Sequence, residues 1–261
     1  MNASEPVVVV GRGRLGAGLT AALGAVGVAV ELVAGRQPDR RSQPDRRSEP
    51  DRRDEALAAA ALIVLAVPDG AIAAVADDVP RSTSRVVCHC SGARPLTDLG
   101  DHPRIASLHP LVSVPADVQL AAARLRNATW AIAGDAAASA VVELLGGTPI
   151  RISEGDRARY HATAVVASNH VAGLWAQVER LAESIGLPAE AFLGLLRGTI
   201  DSVSEVGARN ALTGPVARGD WGTVRDHLAA LAPDEVDQYL AGVMACARLA
   251  ETDLPDELLR P

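Results

Sequence analysis

The sequence predicts an α/β fold: a doubly wound, mostly parallel sheet domain over residues 1–153, then an all-helical domain over residues 154–261. Three observations carry this expectation. Short apolar runs alternate with Ala/Leu-rich segments as far as Ile152, which is the pattern of βαβ crossovers. The first apolar run ends on a G-x-G-x-x-G turn. From Glu154 to Arg260 no segment reads as a convincing strand.

Pro6–Val10 is a β-branched run stopped by Gly11 and reads as a buried strand. Arg14–Val26 reads as a helix, Val28–Val33 as a second strand, and Ala61–Val67, closed by Pro68, as a third. Ala71–Asp78 is helical, and Arg85–Cys90, Arg104–Leu108 and Ala128–Ala133 are strands. Ala136–Leu145 is a helix before a last strand at Thr148–Ile152. Beyond these, helices are expected near 156–186, 188–206, 221–231 and 234–251, with the loss of strands placing the domain boundary at Ser153. Gln37–Asp54 is three tandem copies of a six-residue unit, QPDRRS, QPDRRS and EPDRRD. The Pro in each copy argues against a regular helix, so the segment is expected to be a solvated loop.

Composition excludes several functions. The net charge of −7 argues against a basic nucleic-acid surface, and 2% aromatics are too few for base-stacking platforms. All 25 basic residues are Arg, so Schiff-base and phosphate-loop lysines are excluded. The longest apolar run, Ala56–Val67, is 12 residues, short of the ~20 that a membrane span needs. Met1–Glu5 shows no secretory signal and three Cys form no disulfide framework, so a cytoplasmic protein is expected.

The motif Gly11-Arg12-Gly13-Arg14-Leu15-Gly16 sits where dinucleotide binding requires it, between strand and helix. Gly11 permits the tight turn, Gly13 lets a pyrophosphate approach the backbone, and Gly16 lets helix and strand pack closely. The helix N-terminus offers amide donors to the phosphates. Val67 and Pro68, at the third strand end, are expected beside the same cofactor. An NAD enzyme places an acid after the second strand, whereas here Ala34, Gly35 and Arg36 come next, and Glu31 falls inside the strand. Arg36 can pair with a 2′-phosphate, so NADP(H) is expected in preference to NAD(H).

Ligands of doubly wound sheets sit beyond the strand carboxyl ends. Those ends carry Asp69, expected as a helix cap, Ser91-Gly92, and His109 before Pro110. In Cys88-His89-Cys90 neighbouring side chains alternate faces, so no metal site is expected. The long helix near 156–186 holds Tyr160, and at helical spacing it aligns His161, Ser168 and Asn169 on one face. Arg218, after a Gly214-Pro215 turn, could clamp a substrate carboxylate, and Asp220 is expected to cap the helix at Trp221.

Taken in order, Val7–Gly16, LIVLAVPD (62–69), HCSGA (89–93), SLHPL (107–111), YHATAVVASN (160–169) and LTGPVARGD (212–220) resemble the Rossmann-like proteins that carry the domain of unknown function 2520. The tandem repeat departs from that pattern. The family is similar in plan to 6-phosphogluconate-dehydrogenase-like enzymes, among them pyrroline-5-carboxylate and ketopantoate reductases. The resemblance implies an NADP(H)-dependent oxidoreductase with a helical domain through which two copies dimerise. Hydroxyacid-dehydrogenase relatives place a Lys and an Asn on the interdomain helix; here there is no Lys, and His161 lies eight residues before Asn169.

The functional expectation is reduction of a C=O or C=N bond in a small carboxylate-bearing substrate. His161, or His109 as second choice, would supply the proton. Asn169 and Ser91 would hold the acceptor atom, with Ser168 beside them and Arg218 on the carboxylate. The second reading is a noncatalytic NADP(H)-binding sensor or scaffold.

Overall fold

The computed structural model describes residues 5–35 and 48–258, without the side chains of 48–51 and 257. The chain forms two compact units, residues 1–169 and 170–261.

The first unit is built on strands β1 (Val7–Val10), β2 (Val30–Val33), β3 (Leu62–Leu65), β4 (Val86–His89), β5 (Ile105–Pro110), β6 (Thr129–Gly134) and β7 (Thr148–Arg151). They lie in the order β2-β1-β3-β4-β5-β6-β7. All pairs are parallel except β5–β6, where Ser107 faces Ala133 in antiparallel register. Helices α1 (Arg14–Ala25), α2 (Ser48–Ala59), α3 (Ile72–Asp77), α4 (Val118–Leu125), α5 (Ala137–Leu144) and α6 (Arg157–Val165) complete it.

Every residue of β1, β3 and β4 is buried, as the continuous apolar runs of a parallel sheet require. Alternate side chains build two cores. Val7, Val9, Leu62, Val64 and Cys88 pack with α1, α4 and α5 around Trp130, and Val8, Val10, Ile63, Leu65 and Val87 pack with α2 and α3. Cys88 and Cys90 enter the first core while His89 faces the other way, as strand alternation demands.

The first compact unit runs past Ser153 and includes α6. α6 stays on the sheet because the buried Arg157 donates to Ser107 Oγ (2.9 Å) and Tyr160 meets His109. The third repeat copy, Glu49–Asp54, with Ser48 before it, is helix rather than loop: Pro50 falls in the first turn of α2, where no intrahelical N–H is required. Residues 37–47 of the repeat lie outside the described residues.

The second unit holds α7 (Val171–Ser184), α8 (Leu193–Val206), α9 (Ala208–Ala211), α10 (Trp221–Ala230) and α11 (Pro233–Ala250). Val216, Val224, Val243 and Ala247 form its small core. Gln177 and Arg180 of α7 both bond the buried Glu235 of α11, Gln177 at 3.1 Å. Asp220 caps α10 by accepting from Thr223 N at 3.1 Å, as expected. Among the described residues no helix is long and apolar enough to cross a membrane.

Candidate functional site

The glycine turn after β1 opens the site. Gly11 has φ +121°, and a Cβ there would sit 2.3 Å from Ala66 O. At Gly16 a Cβ would come 1.8 Å from Gly11 O. Both glycines are therefore demanded by the fold itself. Gly13 differs: its φ of −74° suits any residue, and a Cβ would meet nothing within 4 Å. The open space over Gly13 is where a pyrophosphate must approach, so the residues fit a dinucleotide. The end of α1 supports this fit: Gly13 caps it without a side-chain hydrogen bond, and no carboxylate in its first turn offsets the positive end. Arg14 is exposed and Leu15 half-buried in that first turn. Val67 Cγ1 lies against the turn, 3.2 Å from a Cβ placed on Gly11, and Pro68 is exposed beyond it.

A cavity of about 340 Å³ lies at the carboxyl end of β2, lined by Arg12, Glu31, Val33, Ala34, Arg52 and Arg53 among others. Ala34 is where the expectation set it; Arg36 lies outside the described residues.

At the ends of β4 and β5 the side chains converge. His109 Nδ1 is 2.5 Å from the Tyr160 hydroxyl. His161 stands edge-on to His109, with ring centroids 6.3 Å apart. Both imidazoles press on the buried Gly92: a Cβ there would lie 3.0 Å from His109 Nδ1 and from His161 Cδ2. Glycine at this position is what lets the two rings share one space. Burial, and then the nearby His161, push the His109 pKa down to about 4, so its ring is neutral at pH 7. Burial pushes the Tyr160 phenol up to about 12. Tyr160 thus keeps its proton, and when it donates to Nδ1 it leaves the His109 proton on Nε2.

Beneath this group lies a charged support. Arg157 donates to Ser107 Oγ and, from Nε, to Glu154 Oε1 at 3.1 Å. Burial works to raise the Glu154 pKa, but its bonds from Arg157 and from Leu96 N hold it below the ordinary carboxylate range. The fully buried His89 accepts from Ser91 N at Nδ1 (3.2 Å); burial, then the Arg157 charge, push its pKa down to about 4.

Three expected roles change. Ser91 donates to Asp69 Oδ2 (2.8 Å) and accepts from the amides of Ala93 and Arg94, so its hydroxyl is committed to the turn rather than to a substrate. Asp69 receives that bond and caps no helix. Ser168 donates to Ala164 O (2.7 Å) and lies 3.0 Å from Asn169 Oδ1. Both sit in a π turn, Val166–His170. Its wider winding inserts one residue, which shifts the helical phase by about 100° and breaks the single face drawn through 161, 168 and 169. Among the described residues neither hydrogen-bonds His109, Tyr160 or His161. Arg218 is exposed, ending a short turn of helix in the second unit. Tyr160 is the site residue that sequence reasoning passed over; its adjacency to His161 was the available signal.

Residues 2–110 match the family model of a Rossmann-like domain, and residues 129–244 match that of a domain of unknown function, DUF2520. The chain carries a Rossmann-like domain followed by a DUF2520 domain. Solved structures share the fold of this DUF2520 protein. A candidate NADP oxidoreductase from Bacteroides fragilis is 20% identical with a TM-score of 0.72, over 95% of this chain and 99% of that one. A protein from Thermotoga maritima is 22% identical with a TM-score of 0.68, over 94% of this chain and 98% of that one. A pyrroline carboxylate reductase from Plasmodium falciparum, solved with NADP bound, is 13% identical with a TM-score of 0.59, over 94% of this chain and 98% of that one. No curated protein matches the DUF2520 protein.

Proposed function

We propose that this DUF2520 protein is an NADP(H)-dependent oxidoreductase reducing a C=O or C=N bond of a small, carboxylate-bearing substrate. One observation supports the reading: the cradle over Gly13 opens at the carboxyl end of the same sheet whose β5 carries His109, and α6 brings Tyr160 and His161 against that histidine. The related fold solved with NADP bound supports the coenzyme. NADPH, when bound, supplies the hydride.

The protein's own groups divide the remaining work. His161 is the proton donor, because His109, at about 4, holds too little proton at neutral pH to act as the acid. Tyr160 fixes the His109 ring through Nδ1 and so presents Nε2–H as a neutral donor. Asn169, in the π turn that follows α6, offers its amide to the acceptor atom. The polar, closely supported cluster favours this over a sensor, which has no use for a Tyr–His pair at 2.5 Å beside a second imidazole. A panel of keto acids and cyclic imines with NADPH tests the choice. Turnover that His161→Ala abolishes while NADPH still binds is the expected result; tight NADPH binding with silence across the panel would favour the sensor.

We further propose a homodimer through the second unit. α8 has no buried residue and exposes Leu195 (72%), Ile200 (54%) and Val206 (52%). Sedimentation should give twice the chain mass; a monomer at micromolar concentration would overturn this.

A further inference from the structure

We propose that the third copy of the tandem repeat builds the phosphate-reading end of the coenzyme site: Arg52 and Arg53 of α2, with Arg12 of the glycine turn, hold the 2′-phosphate of the adenosine ribose. The inference rests on the dinucleotide reading above and assigns its specificity to particular residues.

Placement comes first. The three arginines line the cavity at the carboxyl end of β2, the strand beside the glycine turn. In a doubly wound sheet this end receives the ribose of the adenosine half. The lining holds three guanidinium groups and one carboxylate, Glu31; behind it Arg53 Nη1 meets Asp54 Oδ1 at 3.3 Å, which leaves Arg53 Nη2 for an anion beside Arg12 and Arg52. Ala34, directly after β2, leaves the mouth without the acid that a free 2′-hydroxyl calls for.

Each arginine is suited to a different part of the task. Arg53 is 9% exposed and is fixed by Nε donating to Ala34 O at 3.2 Å. Its buried Nη2 has no hydrogen-bond partner, with Asp78 Oδ2 at 3.9 Å too far to serve. A buried guanidinium donor without an acceptor has capacity for a ligand oxygen. Arg52 is 83% exposed and only loosely paired with Glu31, at 3.8 Å. Such a pair is weak enough for a phosphate dianion to displace. The helix that carries both is anchored at its other end. Arg85 donates to Ala58 O (2.6 Å) and Ala60 O (3.0 Å) at the carboxyl end of α2 and ties them to Pro80 O (2.6 Å). The rigid mounting lets a duplicated, otherwise solvated sequence form a wall of the site.

Calorimetric titration of the full-length chain tests this with NADPH, NADH, 2′,5′-ADP, 5′-AMP and inorganic phosphate. Wild type should bind NADPH more tightly than NADH, and 2′,5′-ADP more tightly than 5′-AMP. Arg52→Ala and Arg53→Gln should each weaken NADPH about tenfold while NADH moves less than about twofold. Arg52→Ala, on an exposed side chain, keeps the test valid should Arg53→Gln disturb β2. An unchanged NADPH-to-NADH ratio in both variants would overturn the assignment while leaving the dinucleotide reading in place. Failure of wild type to bind either coenzyme would instead refute that reading and this inference with it. Inorganic phosphate competing as well as 2′,5′-ADP would show a free-anion site and equally overturn the proposal.

Discussion

Replacing Gly13 by Ala separates what the fold needs from what the ligand needs. The backbone there is extended, at φ −74° and ψ 179°, and the added methyl meets nothing within 4 Å. The apo protein therefore loses only the difference between Gly and Ala as a helix cap, about 0.5–1 kcal/mol. For a unit of this size that lowers Tm by no more than about 4 °C. A bound pyrophosphate has no such tolerance, because its oxygens must approach the amides of the turn to about 3 Å. A methyl forced into that contact costs about 1–3 kcal/mol by overpacking. The NADPH Kd should accordingly rise about 5- to 150-fold. Gly16→Ala is the contrasting control: its methyl would lie 1.8 Å from Gly11 O, so it should damage the apo fold directly. Apo melting curves with calorimetric titration of NADPH read both effects. The reasoning is refuted if Gly13→Ala binds NADPH within about twofold of wild type, or if its apo form melts as early as that of Gly16→Ala.

Two further predictions concern the histidines. Gly92→Ala should lower kcat about tenfold with little change in NADPH Kd, because its methyl, 3.0 Å from both rings, displaces His109 and His161 by a few tenths of an ångström; an unchanged kcat on an active substrate would contradict it. Stability should fall as pH drops from 6.5 towards 4. Native His89 and His109, each held to about 4, stay neutral there while the unfolded chain takes up protons near the ordinary 6.5. The fully buried His89 accounts for about 3 kcal/mol of that loss, and stability should be level from pH 7 to 8. Urea midpoints at pH 7, 5.5 and 4.5 measure it, and a flat series would count against neutral buried imidazoles.

Much of the first unit was legible because β1, β3 and β4 are buried on both faces: β1 and β3 read as unbroken Val/Ile/Leu runs and β4 opens on Val86-Val87. The glycine turn was legible for a related reason: its spacing is dictated by positions where any side chain would clash, as a Cβ on Gly16 would with Gly11 O. Strand direction was less accessible, since β6 looks the same in composition whether it runs with or against β5. α2 was missed by treating Pro50 as a breaker when its position in the first turn makes it harmless. α4 is short, and its one strong signal is Asp117, whose side chain accepts from Leu120 N at 2.7 Å. At the candidate site, His109 and His161 were named by residue type and place, and the structure brings their ring centroids to 6.3 Å. The contact of Tyr160 with His109 joins residues 51 positions apart, which no local pattern reveals. The π turn at Val166–His170 likewise leaves no period in the sequence, so a face drawn at α-helical spacing ran past the point where it stops.

The central claim is that a dinucleotide lies with its pyrophosphate on the amino end of α1. A crystal structure of the protein grown with NADPH tests this most directly. The account predicts phosphate density over Gly13, within hydrogen-bond distance of the backbone amides of the turn. Coenzyme bound elsewhere on the chain, or a glycine turn folded shut over that space at saturating NADPH, would contradict it.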